Sequence, residues 1–272
     1  MSSQHSLSIA VIIPSRLDRL DRGPLAGLTF LERAIASALG QSRVVDGAVA
    51  LTFIVGVDAD AAVPDAIAAR SDIVVARSSA ASQAAALNAC IAAAGAFPYV
   101  AFLEDDDRWD PDYLGYALAA LQEHGFVSTT QLEMDEDDQI LRINDFPTPS
   151  GWIMSAKTLS RVGLFDLAMR WHLDNEWLGR LAEAAIPRCH LVERTAPVTL
   201  LHSAQTRPWI ANVIRNGGPQ VTVRRHTYLA PLVLRLVHSR SGMARIATEP
   251  QLQQQSRKEY ETLAARFGRV PW

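Results

Sequence analysis

Cysteine is almost missing from this 272-residue chain. Cys90 and Cys189 are its only two, and neither belongs to a C-x-x-C pair. A disulfide scaffold is therefore excluded, and a reduced compartment is expected. No apolar run reaches the roughly 18 residues that a membrane-spanning helix needs. The first residues lack the basic start and cleavage site of a secretory leader, so a cytoplasmic protein is expected. Lysine is scarce as well: only Lys157 and Lys258 occur among 26 basic residues. Also missing are the phosphate-cradling G-x-x-x-x-G-K-[ST] loop, a G-x-G-x-x-G after the first strand, and a G-x-S-x-G elbow. Their absence argues against a P-loop nucleotidase, a dinucleotide-binding dehydrogenase and a serine hydrolase.

The net charge of −3 conceals two opposed halves. Residues 1–204 carry 15 basic against 26 acidic side chains, whereas residues 205–272 carry 11 against 3. A basic tail of this kind meets an anion, a membrane surface or the acidic part of its own chain, unless it is a solvated helical face.

Up to Gly125 the sequence alternates short apolar runs with helical stretches. Strands are expected at Ser8 to Ile13, Leu51 to Val57, Asp72 to Ala76 and Tyr99 to Leu103. Helices are expected at Phe30 to Leu39, Asp65 to Arg70, Ala80 to Ala94 and from Asp110-Pro111 to about Glu123. This order implies a mostly parallel sheet with right-handed crossovers. Further on, Phe126 to Met134 and Gln139 to Ile143 read as paired strands around the acidic turn Asp135 to Asp138. A strand near Trp152 to Ser155, helices near Lys157 to Val162 and Asp174 to Ala184, and a last strand at Thr195 to Leu201 follow. Pro208 to Phe267 reads as mainly helical. Two parts are thus expected: a catalytic domain over 1–204 and a basic helical extension over 205–272.

Open α/β sheets bind ligands beyond the carboxyl ends of their strands. Pro14-Ser15-Arg16 follows the first strand, Asp58-Ala59-Asp60 the second, and Glu104-Asp105-Asp106-Asp107 the fourth. Four consecutive acids after a buried strand repel one another, and a divalent cation relieves that repulsion. Carboxylates suit Mg²⁺ or Mn²⁺, which bridge to substrate phosphates. Negative charge at a helix N-terminus accounts for Asp110 but not for Glu104 to Asp106. A nucleic-acid partner is disfavoured by the acidity of this cleft.

Four segments in order carry a family likeness: Val11 to Arg16 (VIIPSR), Phe53 to Asp58 (FIVGVD), Ala101 to Pro111 (AFLEDDDRWDP), and Arg161 to Asp166 (RVGLFD) with Leu173 to Arg180 (LDNEWLGR). Together they resemble family 2 glycosyltransferases, from about Leu7 to His202. The resemblance implies a GT-A-type, Rossmann-like three-layer α/β sandwich with a mostly parallel central sheet and a helical C-terminal extension. It implies transfer of a sugar, with inversion, from a nucleotide-diphosphate sugar, a UDP-sugar favoured, to a hydroxyl acceptor (saccharide, lipid-linked or small molecule). Mn²⁺ or Mg²⁺ would assist. On this reading Pro14, Ser15, Arg16, Asp58, Asn88 and Asp105 hold the donor. Glu104, Asp106 and His202 hold the metal, and Asp174 is the catalytic base. Trp152 and His172 are acceptor candidates.

The chain departs from the family pattern at Leu87, where an arginine is usual, and at Leu173, where a glutamate is usual. Arg77 or Arg16 is a substitute for the first. Two other readings stay open. One is a sugar nucleotidyltransferase, suggested by Ile12 to Arg16 with Gly23 to Gly27. The other is a nucleotide-sugar-binding protein without turnover. For the tail, Tyr228 to Val237 (YLAPLVLRLV) suits a helix covering the sheet, a peripheral contact with the inner membrane face, or a homodimer contact.

Overall fold

The computed structural model describes residues 6–19, 29–144, 146–193, 197–199, 206–208, 223–228 and 232–271. Strand β1 (Leu7–Pro14) is apolar almost throughout because both of its faces are covered. Ile9, Val11 and Ile13 enter one core, and Ala10 and Ile12 enter the core on the other face of the sheet. Helix α1 (Phe30–Leu39) covers the first face. It opens with a capping box in which Thr29 and Glu32 satisfy each other's backbone N–H groups. The chain continues through α2 (Ser42–Val45), β2 (Val49–Val57), α3 (Asp65–Ala68), β3 (Ile73–Arg77), α4 (Gln83–Ala94) and β4 (Tyr99–Phe102). β1 pairs in parallel with both β2 and β4, and β2 pairs in parallel with β3. The expected alternation is therefore present, with boundaries shifted by a few residues.

Beyond β4 lie the short β5 (Arg108–Trp109) and α5 (Tyr113–Leu121). This helix starts later than expected from Asp110-Pro111. The Asp110 carbonyl accepts from Tyr113 N at 3.0 Å, so the proline lies inside a turn rather than in the first turn of the helix. The long strand expected at Phe126 to Met134 divides at Thr130. Its first part, β6 (Phe126–Thr129), stays in the central sheet, and β7 (Gln131–Met134) leaves to pair with β8 (Ile140–Asn144) around the acidic turn. β9 (Ile153–Ser155), α6 (Ala156–Val162), α7 (Leu173–Glu183) and β10 (Arg188–Glu193) follow. β10 escapes a reading by hydropathy because it buries Arg188 and His190 beside Cys189 and Leu191. Within the strand expected at Thr195 to Leu201, the described residues form β11 (Pro197–Thr199), which pairs antiparallel with β12 (Thr206–Pro208).

The described part of the tail holds strands as well as helices. β13 (Val223–Tyr228) joins the central sheet, whose order is β13-β10-β6-β9-β4-β1-β2-β3. In it β9 runs antiparallel to β4 and β6. β14 (Val233–Leu236) inserts between β5 and β7 in a second sheet of order β5-β14-β7-β8. Pro231 interrupts the apolar run, and the residues after it bury Val233 and Leu236 as a strand. Helices α8 (Gly242–Thr248) and α9 (Pro250–Phe267) end the chain, with Leu263 buried in the second core. Among the described residues no helix is long and apolar enough to cross a membrane.

Helix α4 lies close on β2, an approach its alanines and Gly56 permit. A Cβ on Gly56 would stand 2.7 Å from both the Ala86 carbonyl oxygen and Cys90 Sγ. Gly56→Ala is expected to cost about 1–3 kcal/mol, read as a lower urea midpoint at unchanged slope. An unchanged midpoint would contradict the close approach.

Candidate active site

The carboxyl ends of β1, β2 and β4 open on a two-lobed cleft. The first lobe, about 280 Å³, is walled by Pro14, Ser15 and Arg16 after β1, Asp58 after β2, and Glu104, Asp105 and Asp106 after β4. The second, about 170 Å³, shares Gln83, Glu104, Asp106, Arg170 and Trp171 with the first, and adds Thr148, Asp174 and Arg235. Of the strand-end residues singled out from the sequence, Pro14, Ser15, Arg16, Asp58, Glu104, Asp105 and Asp106 share this cleft, whereas Ala59, Asp60 and Asp107 do not line it.

Hydrogen bonds sort the four acids. Ser15 Oγ donates to Asp105 Oδ2 at 2.6 Å and accepts from Leu17 N at 2.9 Å. Gln83 Nε2 donates to Glu104 Oε1 at 2.5 Å. Asp107 is buried and turned inward, taking Ser150 Oγ at 2.5 Å and Leu236 N at 3.1 Å. It ties the acidic loop to β14. Asp106 Oδ2 lies 3.1 Å from His238 Nε2.

Crowding and burial leave Glu104, Asp105 and Asp107 reluctant to ionise. Burial first, then the charge of Asp106, pushes Glu104 up to about 7 and Asp105 up to about 8. Asp107 is held well above the usual carboxylate range for the same two reasons. Arg235 works against them. It donates to Glu133 Oε1 at 2.9 Å and places positive charge near Glu104 and Asp107. Glu133 is itself fixed by Arg142 and by Asn144 Nδ2 at 2.9 Å.

Glu104, Asp106 and Asp107 offer oxygens within 4.8 Å of one another, a hard donor set suited to Mg²⁺ or Mn²⁺. His202, the histidine expected beside the metal, lies outside the described residues. The fold brings His238 to Asp106, and its other ring nitrogen is buried with no hydrogen-bond partner among the described residues. Its signal in the sequence is a histidine just past an apolar strand, the same signal that singled out His202.

Asp174 stands in the first turn of α7, where the helix dipole favours an anion. Asn175 N donates to its Oδ1 at 2.8 Å. Burial nonetheless raises its carboxyl above the usual range, against the pull of that N–H and of His172 and Arg235. The N-cap position belongs to His172, whose side chain makes no capping bond.

Three sequence expectations need correction. Asn88 does not serve a donor, because its amide pairs with the Phe165 backbone, Nδ2 to O at 2.9 Å and N to Oδ1 at 2.8 Å. Trp152 is no acceptor platform. It is fully buried among Phe102, Phe126 and Trp177, and its Nε1 donates to the Pro147 carbonyl at 2.7 Å. His172 turns from the cleft toward α9, where Nε2 meets Ser256 Oγ at 2.9 Å and Nδ1 meets Asn175 Oδ1 at 3.2 Å. Arg77 is likewise engaged elsewhere, donating to the carbonyls of Ala59 and Ala61. Trp171 and Arg170 wall both lobes instead, the guanidinium 5.1 Å from the indole centroid.

Comparison with known proteins agrees with this geometry. Residues 28–144 match the family model "Glycosyl transferase family 2". No curated protein matches the chain in sequence. Among solved structures, S. aureus TarS 1–349 with UDP-GlcNAc is 11% identical with a TM-score of 0.52, covering 95% of this chain and 67% of its own. The same protein with UDP gives 0.50, also at 11% identity, over 95% and 72%. The mannosyltransferase PcManGT from Pyrobaculum calidifontis, in complex with GDP-Man and Mn²⁺, is 14% identical with a TM-score of 0.48, over 68% of this chain. This chain spans 54% of the PcManGT chain. Residues 28–144, which include the acidic loop, thus carry the likeness to glycosyl transferase family 2, and the mostly parallel α/β sandwich is of the GT-A kind seen in TarS.

Proposed function

We propose that the protein is a metal-assisted, inverting glycosyltransferase that moves a sugar from a nucleotide-diphosphate sugar to a hydroxyl acceptor. One observation carries the reading. Two lobes meet at Glu104 and Asp106, with strand-end residues lining the first and the lone carboxylate Asp174 added by the second. The first lobe suits the donor. Ser15 and Asp58 line it for base and ribose, Asp105 reaches the ribose or sugar, and Arg16, Arg240 and Arg245 bring positive charge for the diphosphate. TarS, a protein of like fold, binds UDP and UDP-GlcNAc, so uridine donors come first.

A divalent ion fits the donor set of Glu104, Asp106 and Asp107, since Glu104 and Asp107 resist ionising without a countercharge, and His238 already meets Asp106. Bound there, it would neutralise charge growing on the departing diphosphate. The chain's own residues do the rest. Asp107 and Ser15 hold the loop in shape, and Arg170 and Trp171 align donor and acceptor across the shared wall. Asp174 takes the acceptor's proton as its oxygen attacks the anomeric carbon, and its raised affinity for protons makes it the better base. Attack from the face opposite the diphosphate inverts the anomeric centre.

Asp174→Asn is expected to lower transfer by about 10²- to 10⁴-fold while the thermal shift produced by UDP with Mn²⁺ persists. Loss of both together would remove the base role. Metal binding should also follow pH. Glu104 and Asp105 are raised above their unfolded values, so without metal they cost stability progressively as pH rises. Protons compete with the ion below about 7 to 8. The rise in Tm produced by Mn²⁺ should therefore grow between about pH 6 and pH 8. An increment independent of pH would place the ion elsewhere.

A further inference from the structure

We propose that Glu259, on the C-terminal helix α9, is a positioning residue for the wall shared by the two lobes. The proposal rests on the transferase reading for what the wall does, but the contact itself is independent of it. Helix α7 starts at Leu173 without a side-chain cap of its own. The segment leading into it is held instead by a carboxylate 87 to 89 residues away. Arg170 N donates to Glu259 Oε1 at 2.9 Å, and Trp171 N and His172 N donate to Oε2 at 2.8 Å and 3.0 Å.

Three consecutive N–H groups on one carboxylate form a charge-assisted fork at the positive end of an 11-residue helix. The residues so fixed are Arg170 and Trp171, which wall both lobes. Asp174 lies two positions past His172.

Docking of α9 does not depend on this contact. Farther along, Arg266 donates to Glu176 at 3.0 Å and to Glu183 at 3.3 Å, and Phe267 packs against Gly179. Anchoring the wall and holding the helix are therefore separable.

Glu259→Gln keeps the size of the side chain but replaces one acceptor oxygen by an NH₂ that faces backbone donors. The test uses the full chain and two measurements, amide hydrogen exchange at residues 170–172 and the transfer rate with a UDP-sugar and Mn²⁺. In E259Q, exchange at those amides should rise about tenfold or more and kcat should fall about tenfold or more. Glu259→Asp, with its carboxylate one methylene back, should fall between E259Q and the wild type in both. Arg266→Ala, which loosens the same helix elsewhere, should leave both within about twofold.

Unchanged exchange in both Glu259 variants overturns the anchor. Faster exchange with unchanged kcat, or an equal loss of kcat in R266A, overturns the positioning role. A wild type that turns over no donor sinks the transferase reading alone, and exchange still decides the anchor.

Discussion

Repulsion among four adjacent carboxyls at the end of β4 is the constraint around which the rest of the molecule is arranged. Left alone, Glu104 to Asp107 would push the loop open or stay protonated. Each acid instead has a restraint drawn from a different part of the chain: Ser15 after β1, Gln83 on α4, Ser150 in the turn before β9, Leu236 and His238 in and after β14. The central sheet brings the first three together and the second sheet brings the last. The loop is thus strained electrostatically yet fixed geometrically, which leaves a cation as its natural complement.

The charge split along the chain gains a physical meaning from the same source. The basic tail meets the chain's own acids. Arg235 sits on Glu133 near the acidic loop, Arg240 and Arg245 wall the first lobe, and Arg266 bridges Glu176 and Glu183. Exposed pairs of this kind contribute little to stability, whereas the buried Glu133 has both Arg142 and Arg235, and the buried Glu176 has Arg180 as its main partner beside Arg266. A single net charge near zero hides this complementarity.

Local signals in the sequence were enough for β1 through β4 and for the residues at their ends. Buried parallel strands are continuously apolar, and ligand chemistry collects where they stop, so Ser15, Asp58 and the four acids stood out without any knowledge of contacts. Long-range partners had no such signal. His238 carries the same signal as His202, and the insertion of β14 beside β5 is what brings it to Asp106. Asn88 and Trp152 sat in suggestive motifs, yet their polar atoms bond to the backbone of Phe165 and Pro147, a fact of packing rather than of spacing. The tail misled for a related reason. Pro231 and scattered arginines obscured a strand whose burial comes from neighbours about a hundred residues earlier.

That strand has a consequence for how the protein is made. β14 pairs in parallel with β7 and antiparallel with β5, and it carries or precedes Arg235, Leu236 and His238. A nascent chain emerging from the ribosome can build β1 to β4 early, but its acidic loop has neither the Leu236 amide nor His238 until residues 236–238 are synthesised. Closing the second sheet is a contact of high sequence separation and so a slow, late event in folding. The acidic loop therefore gains its full set of restraints only after residues 236–238 have met a loop more than a hundred residues earlier.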